Sequence, residues 1–120
     1  MMIRSMLLSL FWTALAAAVP AFAGMDDDVR ALQREWEQIK YRTPSAEQEK
    51  AFKALAENAE TVRTRYANRA EPQIWYGIIA ASLAGAKGGL GALTLAKDAK
   101  AALERALELD AKALSGSAYT

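Results

Sequence analysis

The chain has 120 residues, 15 Lys and Arg against 14 Asp and Glu, no His and no Cys. That length suits one small domain, and the near-neutral charge argues against nucleic acid or an anionic membrane surface as the main partner. Without His or Cys there is no disulfide, no thiol nucleophile, no imidazole base and no imidazole or thiolate metal ligand, so catalysis lacks its usual parts.

The N-terminus is read first, because it would be removed before folding. Arg4 gives a positive start, Met6 to Val19 is an apolar run, and Pro20 breaks it. Ala21-Phe22-Ala23 then has the small-x-small form that a signal peptidase cuts. The expectation is a signal peptide over 1–23, cleavage after Ala23 and a periplasmic or secreted mature chain, residues 24–120. Losing Arg4 leaves basic and acidic residues in balance. The apolar run is short for a membrane span of about 20 residues, and no Cys stands at the cleavage site to carry a lipid, so no stable membrane anchor is expected after cleavage.

Asp26, Asp27 and Asp28 suit a helix N-terminus, where the macrodipole favours negative charge. A metal-binding cluster is the sharper alternative, but consecutive carboxylates on a helix diverge and no second cluster completes a shell. Val29, Leu32, Trp36 and Ile39 recur at helical spacing and predict a first helix over about 27–41. Thr43-Pro44-Ser45 is a turn. Ser45 with Gln48 makes a capping box, while Thr43 with Pro44 in the first helical position is an equally usable start. Phe52, Leu55, Ala59, Val62 and Tyr66 carry the apolar stripe of a second helix, with a Glu49–Lys53 pair on its wet side. Arg63, Arg65 and Arg69 could grip an anion. The simpler reading is a solvated face neutralised by Glu57, Glu60 and Glu71.

Pro72 belongs in the first turn of a third helix, where its missing N–H costs nothing. Ile74, Trp75, Ile78, Ile79 and Leu83 follow as an apolar stripe. Four glycines in the seven residues from Gly85 to Gly91 predict a break, with helix ending near Gly85 and resuming after Gly91. A fourth helix then sets Leu95, Ala99, Ala102, Leu103, Ala106 and Leu107 on one side. The glycine stretch is not a phosphate loop, since Lys87 precedes Gly88 rather than following the last glycine, and the flanking pattern is helical. The fold class is therefore all-α, two antiparallel helix hairpins within 24–114, with a tail at 115–120.

Helix pairs at a period of about 34 residues are the rhythm of a tetratricopeptide repeat. Ala99, Leu103 and Ala106 fit the small, large and small positions of its second helix, and Trp75 its first-helix aromatic. Ala111 stands where the repeat usually carries Pro. About eight extra residues separate these positions, and the glycine-rich break would house them. Ala67 and Pro72 keep the expected spacing in the first pair, where Thr64 replaces a large apolar residue. The words AEPQIWYGIIAASLAGAKGGLGAL and ALELDAKALSGSAYT resemble small exported tetratricopeptide-type proteins grouped with the T component of TRAP-type transporters. The resemblance covers about Glu57 to Thr120 and is most specific between Trp75 and Leu93. It implies a short helical-repeat solenoid, self-association, and a role as accessory to a periplasmic solute-binding protein. It implies no catalytic residue and no cofactor. Members usually continue beyond the position of Thr120, and lipoprotein members carry an anchoring Cys absent here.

The functional expectation is a non-enzymatic scaffold or protein–protein interaction module, with Trp36, Tyr76 and Lys87 as candidate partner contacts. The alternative is a carrier that holds a small apolar or organic-acid ligand between its helices, motivated by the Trp75, Ile78, Ile79 stripe beside the glycines.

Overall fold

The computed structural model describes residues 21–110, and these are helical with no strand among them. The helices are α1 (Ala21–Arg42), α2 (Ser45–Arg65), α3 (Ala70–Lys87) and α4 (Gly89–Leu109). The expected signal-peptide segment up to Pro20 and the 115–120 tail lie outside the described residues. Among the described residues no helix is long and apolar enough to cross a membrane.

Short connections make neighbours antiparallel. α1 and α2 are joined across Thr43-Pro44, and Pro44, at φ −57° and ψ 145°, stands just before α2 rather than inside its first turn. The expected Ser45–Gln48 capping box does not form. The Gln48 side-chain amide instead donates to the carbonyls of Ile39 (3.2 Å) and Thr43 (3.0 Å). It thereby satisfies a carbonyl at the end of α1 that the helix cannot pair itself. A turn through Tyr66 to Arg69, closed by Arg69 N–H to the Tyr66 carbonyl (3.0 Å), leads into α3 with Pro72 in its first turn.

Two expected boundaries are corrected. α1 begins at Ala21, so Asp26, Asp27 and Asp28 lie more than a turn inside it rather than at its start. Helix runs through the predicted cleavage site after Ala23. No group of three or more metal-ligating side chains gathers among the described residues, at these aspartates or elsewhere.

The glycine-rich stretch is not a long loop. Helix continues through Gly85 to Lys87, and the corner is the single residue Gly88 before α4 starts at Gly89. Gly88 and Gly89 both sit at φ +67°, a conformation other residues rarely adopt, so two of the four glycines turn the chain. The extra length expected in this loop is helical instead. Packing of Leu83 and Ala84 in the core holds Gly85 in helix against a propensity cost of about 1 kcal/mol.

The core lies where α1, α2 and α3 meet. Leu32 and Ile39 of α1, Phe52, Leu55, Ala59 and Val62 of α2, and Ile79, Ala80 and Leu83 of α3 are buried together. These are largely the residues the helical spacing selects. α3 is the central element: α2 and α4 pack on it from either side and α1 reaches its face. Among the described residues no Cα of α4 comes within 8 Å of any helix other than α3. α4 uses alanine for the contact, with Ala99, Ala102 and Ala106 buried, and Leu103 and Leu107 half-buried at the edge. Small side chains bring the two backbones close, and Gly77 of α3 sits directly under Leu103.

Candidate functional site

α2 and α4 both lie against α3, yet no Cα of one comes within 8 Å of the other. The separation leaves a valley over α3 of about 800 Å³. Ala56, Leu83 and Leu95 form its apolar floor, and the buried Tyr76 lines it too. Polar side chains rim it: Glu49, Lys53, Glu57 and Glu60 from α2, Lys87 from the end of α3, and Thr94 from α4.

Each part is placed by local rules. Residues 49, 53, 56, 57 and 60 recur at three- and four-residue intervals and so share one face of α2. Tyr76, Leu83 and Lys87, seven and four residues apart, likewise share one face of α3. Lys87 reaches the valley by lying across the first turn of α4. A Cβ added at Gly91 would meet its Cε at 2.6 Å, so the absence of a side chain at Gly91 opens the path.

Tyr76 is the most constrained group. Its ring is buried and the Arg63 guanidinium stacks over it at 3.8 Å from the centroid, a cation–π contact. Arg63 is held by Glu60 (Nε to Oε2, 2.7 Å) and donates weakly to Gln73 Oε1 (3.5 Å). Burial pushes the Tyr76 hydroxyl above its ordinary value of 10.0; Arg63 opposes the rise, while Glu60 and Asp98 add to it. The folded chain therefore holds this proton more tightly than the unfolded chain does. Its contribution is intact below pH 10 and is lost as pH climbs through the raised pKa. Stability of the wild type is expected to fall more steeply above pH 10 than that of Tyr76→Phe in parallel urea titrations. Parallel curves would show that the phenol is not desolvated.

The arginine group is neutralised as the simpler sequence reading expects, with one change of partner. Glu60 and Glu71 serve Arg63 and Arg69, the latter at 3.9 Å, but Arg65 pairs with Asp28 (2.9 Å) rather than Glu57. Tyr66 donates to the same Asp28 oxygen at 3.0 Å, so this carboxylate ties α1 to the end of α2. The expected Glu49–Lys53 pair is not among the ion pairs formed by the described residues, and both side chains face the valley. Lys53, Lys87 and Glu57 are likewise outside every ion pair there.

Of the three candidate contacts, Tyr76 and Lys87 line the same valley and Trp36 does not. Trp36 bridges α1 to α3. Its Nε1 donates to Ser82 Oγ (2.8 Å), which donates to the Ile78 carbonyl (2.9 Å), and its ring meets Trp75 edge-on at 6.0 Å. Lys53, Glu57 and Leu95 are valley residues that sequence reasoning did not select, because a solvated helix face and a groove wall have the same amphipathic pattern.

A second hollow of about 760 Å³ opens on another side of α3, lined by Lys40, Gln48, Ser82 and mostly small residues of α3. Gln48 and Ser82 already bond within the fold, which leaves it few groups to offer a ligand. The valley has an apolar floor and uncommitted charges, the arrangement a binding surface needs. Compared with known proteins, the chain matches no protein family, no curated protein and no solved structure.

Proposed function

We propose that this chain is an exported, non-catalytic helical-repeat module that binds a segment of another protein in the valley between α2 and α4. The observation that carries the reading is the valley itself: an apolar floor left open between two helices whose Cα atoms stay more than 8 Å apart, with Glu49, Lys53, Glu57 and Lys87 on its rim outside every ion pair among the described residues. The hairpin pairs are of tetratricopeptide type in this reading, supported by the way the first helices of the two pairs, α1 and α3, lie against each other. Stacks of so few repeats ordinarily gain stability from further units, so self-association belongs to the same proposal. In this reading the partner is a periplasmic solute-binding protein and the role is in solute uptake, as the sequence resemblance to the T-component group implies. A second reading, a carrier for a small organic acid, is favoured by the valley's volume, which lies within the range of about 300–1,000 Å³ for small-molecule sites.

The test is a peptide-display selection against the chain carrying its own N-terminus, with Thr94→Trp as a variant whose new ring fills the valley. Selected peptides are expected to bind the wild type with micromolar Kd by calorimetry and to lose at least about tenfold in the variant. Intact mass is expected to begin at Gly24, and light scattering to show more than one copy. Binders indifferent to Thr94→Trp would remove the valley from the proposal. A melting temperature raised by organic acids, with no peptide selected, would favour the carrier. An uncut N-terminus would remove export, and a stable monomer would remove self-association.

A further inference from the structure

Charge along the valley is ordered. α2 and α4 run the same way and α3 runs against them, so the end of α3 meets the beginnings of the other two. At that end stand Lys53 and Lys87, with Glu49 one turn farther out; at the other stand Glu57, Glu60 and the Tyr76 hydroxyl. Asp98 of α4 adds to the second end, close enough to act on Tyr76. Arg63, the cation against Tyr76, is engaged by Glu60 and by the face of the Tyr76 ring. The first end is therefore net positive and the second net negative.

From Lys53 to Glu60 the valley is about 10 Å long, or two helical turns. Its floor, Ala56, Leu83 and Leu95, is apolar. These dimensions suit the apolar stripe of one short helix, which offers side chains at three- and four-residue spacing. A helix is also polar along its axis, positive at its N-terminus and negative at its C-terminus. Its dipole, and side chains of the same sign as each pole (basic in the first turn, acidic in the last), then distinguish the two possible directions. Such side chains oppose the free helix's own dipole, a cost the valley's charges offset.

We propose that the valley selects the direction of its partner helix: the N-terminus lies at the Glu57, Glu60 and Asp98 end and the C-terminus at the Lys53 and Lys87 end. The bound segment then runs antiparallel to α2 and α4 and parallel to α3. Its first turn carries Lys or Arg and its last turn Asp or Glu, with apolar residues between them on Leu83 and Leu95. The opposite direction sets like charges against each other at both ends, a penalty that excludes wrong partners more than it tightens the right one. This inference rests on the reading that the valley is the binding surface.

The probe is a displayed library of short helices with apolar positions fixed at helical spacing and the remaining positions randomised. The wild-type chain is expected to enrich basic first turns and acidic last turns. The charge-reversed chain Lys53→Glu, Lys87→Glu, Glu57→Lys changes only exposed side chains and is expected to enrich the opposite order. Individual helices should change preference between the two chains by about tenfold in Kd, the sum of several weak exposed pairs. Far-ultraviolet circular dichroism verifies that both chains are folded. Valley-dependent binders with no charge order, or with the same order on both chains, would overturn the directional proposal and leave the binding reading standing. Binders unaffected by Thr94→Trp, or no binders, would overturn both.

Discussion

Phe52→Ala is expected to destabilise the chain by about 3–5 kcal/mol, the range for emptying a buried phenylalanine site. Phe52 is 2 % exposed and lies in the core that α1, α2 and α3 share, with Leu32, Ile39, Leu55 and Ile79 in the same cluster. Those neighbours are held by three separate helices, so they cannot collapse into the space without moving a helix. A domain of this size has a total stability of about 5–15 kcal/mol, so the variant should be marginal at 25 °C. Urea denaturation measures the effect as a lower midpoint with unchanged slope. Lys50→Ala, an exposed change on the same helix, should stay within about 0.5 kcal/mol. A loss below about 1 kcal/mol for Phe52→Ala would mean that the three-helix junction is not packed as described.

The second large effect concerns two glycines of α3 with opposite expected signs. Gly77→Val should destabilise by about 2–3 kcal/mol, although valine is the better helix former. A Cβ at Gly77 would stand 2.9 Å from Leu103 Cγ and 3.2 Å from the Ala99 carbonyl oxygen. The carbonyl is backbone and cannot turn aside, so α4 would have to move off α3. Among the described residues α4 packs backbone to backbone on α3 alone, so the shift would loosen its whole seat. Gly85→Ala lies two turns farther along the same helix, with nothing within 4 Å of the added Cβ. It should stabilise by about 0.5–1 kcal/mol through helix propensity and a less flexible unfolded chain. Thermal melts of the two variants should move in opposite directions. An increase for Gly77→Val would refute the close α3–α4 contact.

Most of the core was legible because it follows a local rule. Leu32, Ile39, Phe52, Leu55, Val62, Ile74, Ile79 and Leu83 recur at helical spacing and are all buried. Pro72 marked the start of α3 for an equally local reason. The rule fails at the glycines, where propensity favours a break from Gly85 and neighbouring packing keeps the chain helical to Lys87. It fails at Ser45 too, where a capping pattern was present but Gln48 found better acceptors at the end of α1. The candidate site was less legible than the core. Tyr76 and Lys87 could be named from their types, but Lys53 and Glu57 looked like any solvated helix surface.

Composition and periodicity alone determined the all-α class, the four helices of the described residues, their order and most of their buried faces, because each depends on residues within a few turns of one another. They also removed thiol and imidazole chemistry, since those atoms are absent from the chain. The tertiary structure alone decided that α2 and α4 stand apart over α3, and that Tyr76 lies under Arg63 between them. It also decided that charges from three helices line up along one valley. Those facts depend on distances between residues far apart in sequence, set by the one-residue corner at Gly88 and the close seat of α4 over Gly77, which no local pattern encodes.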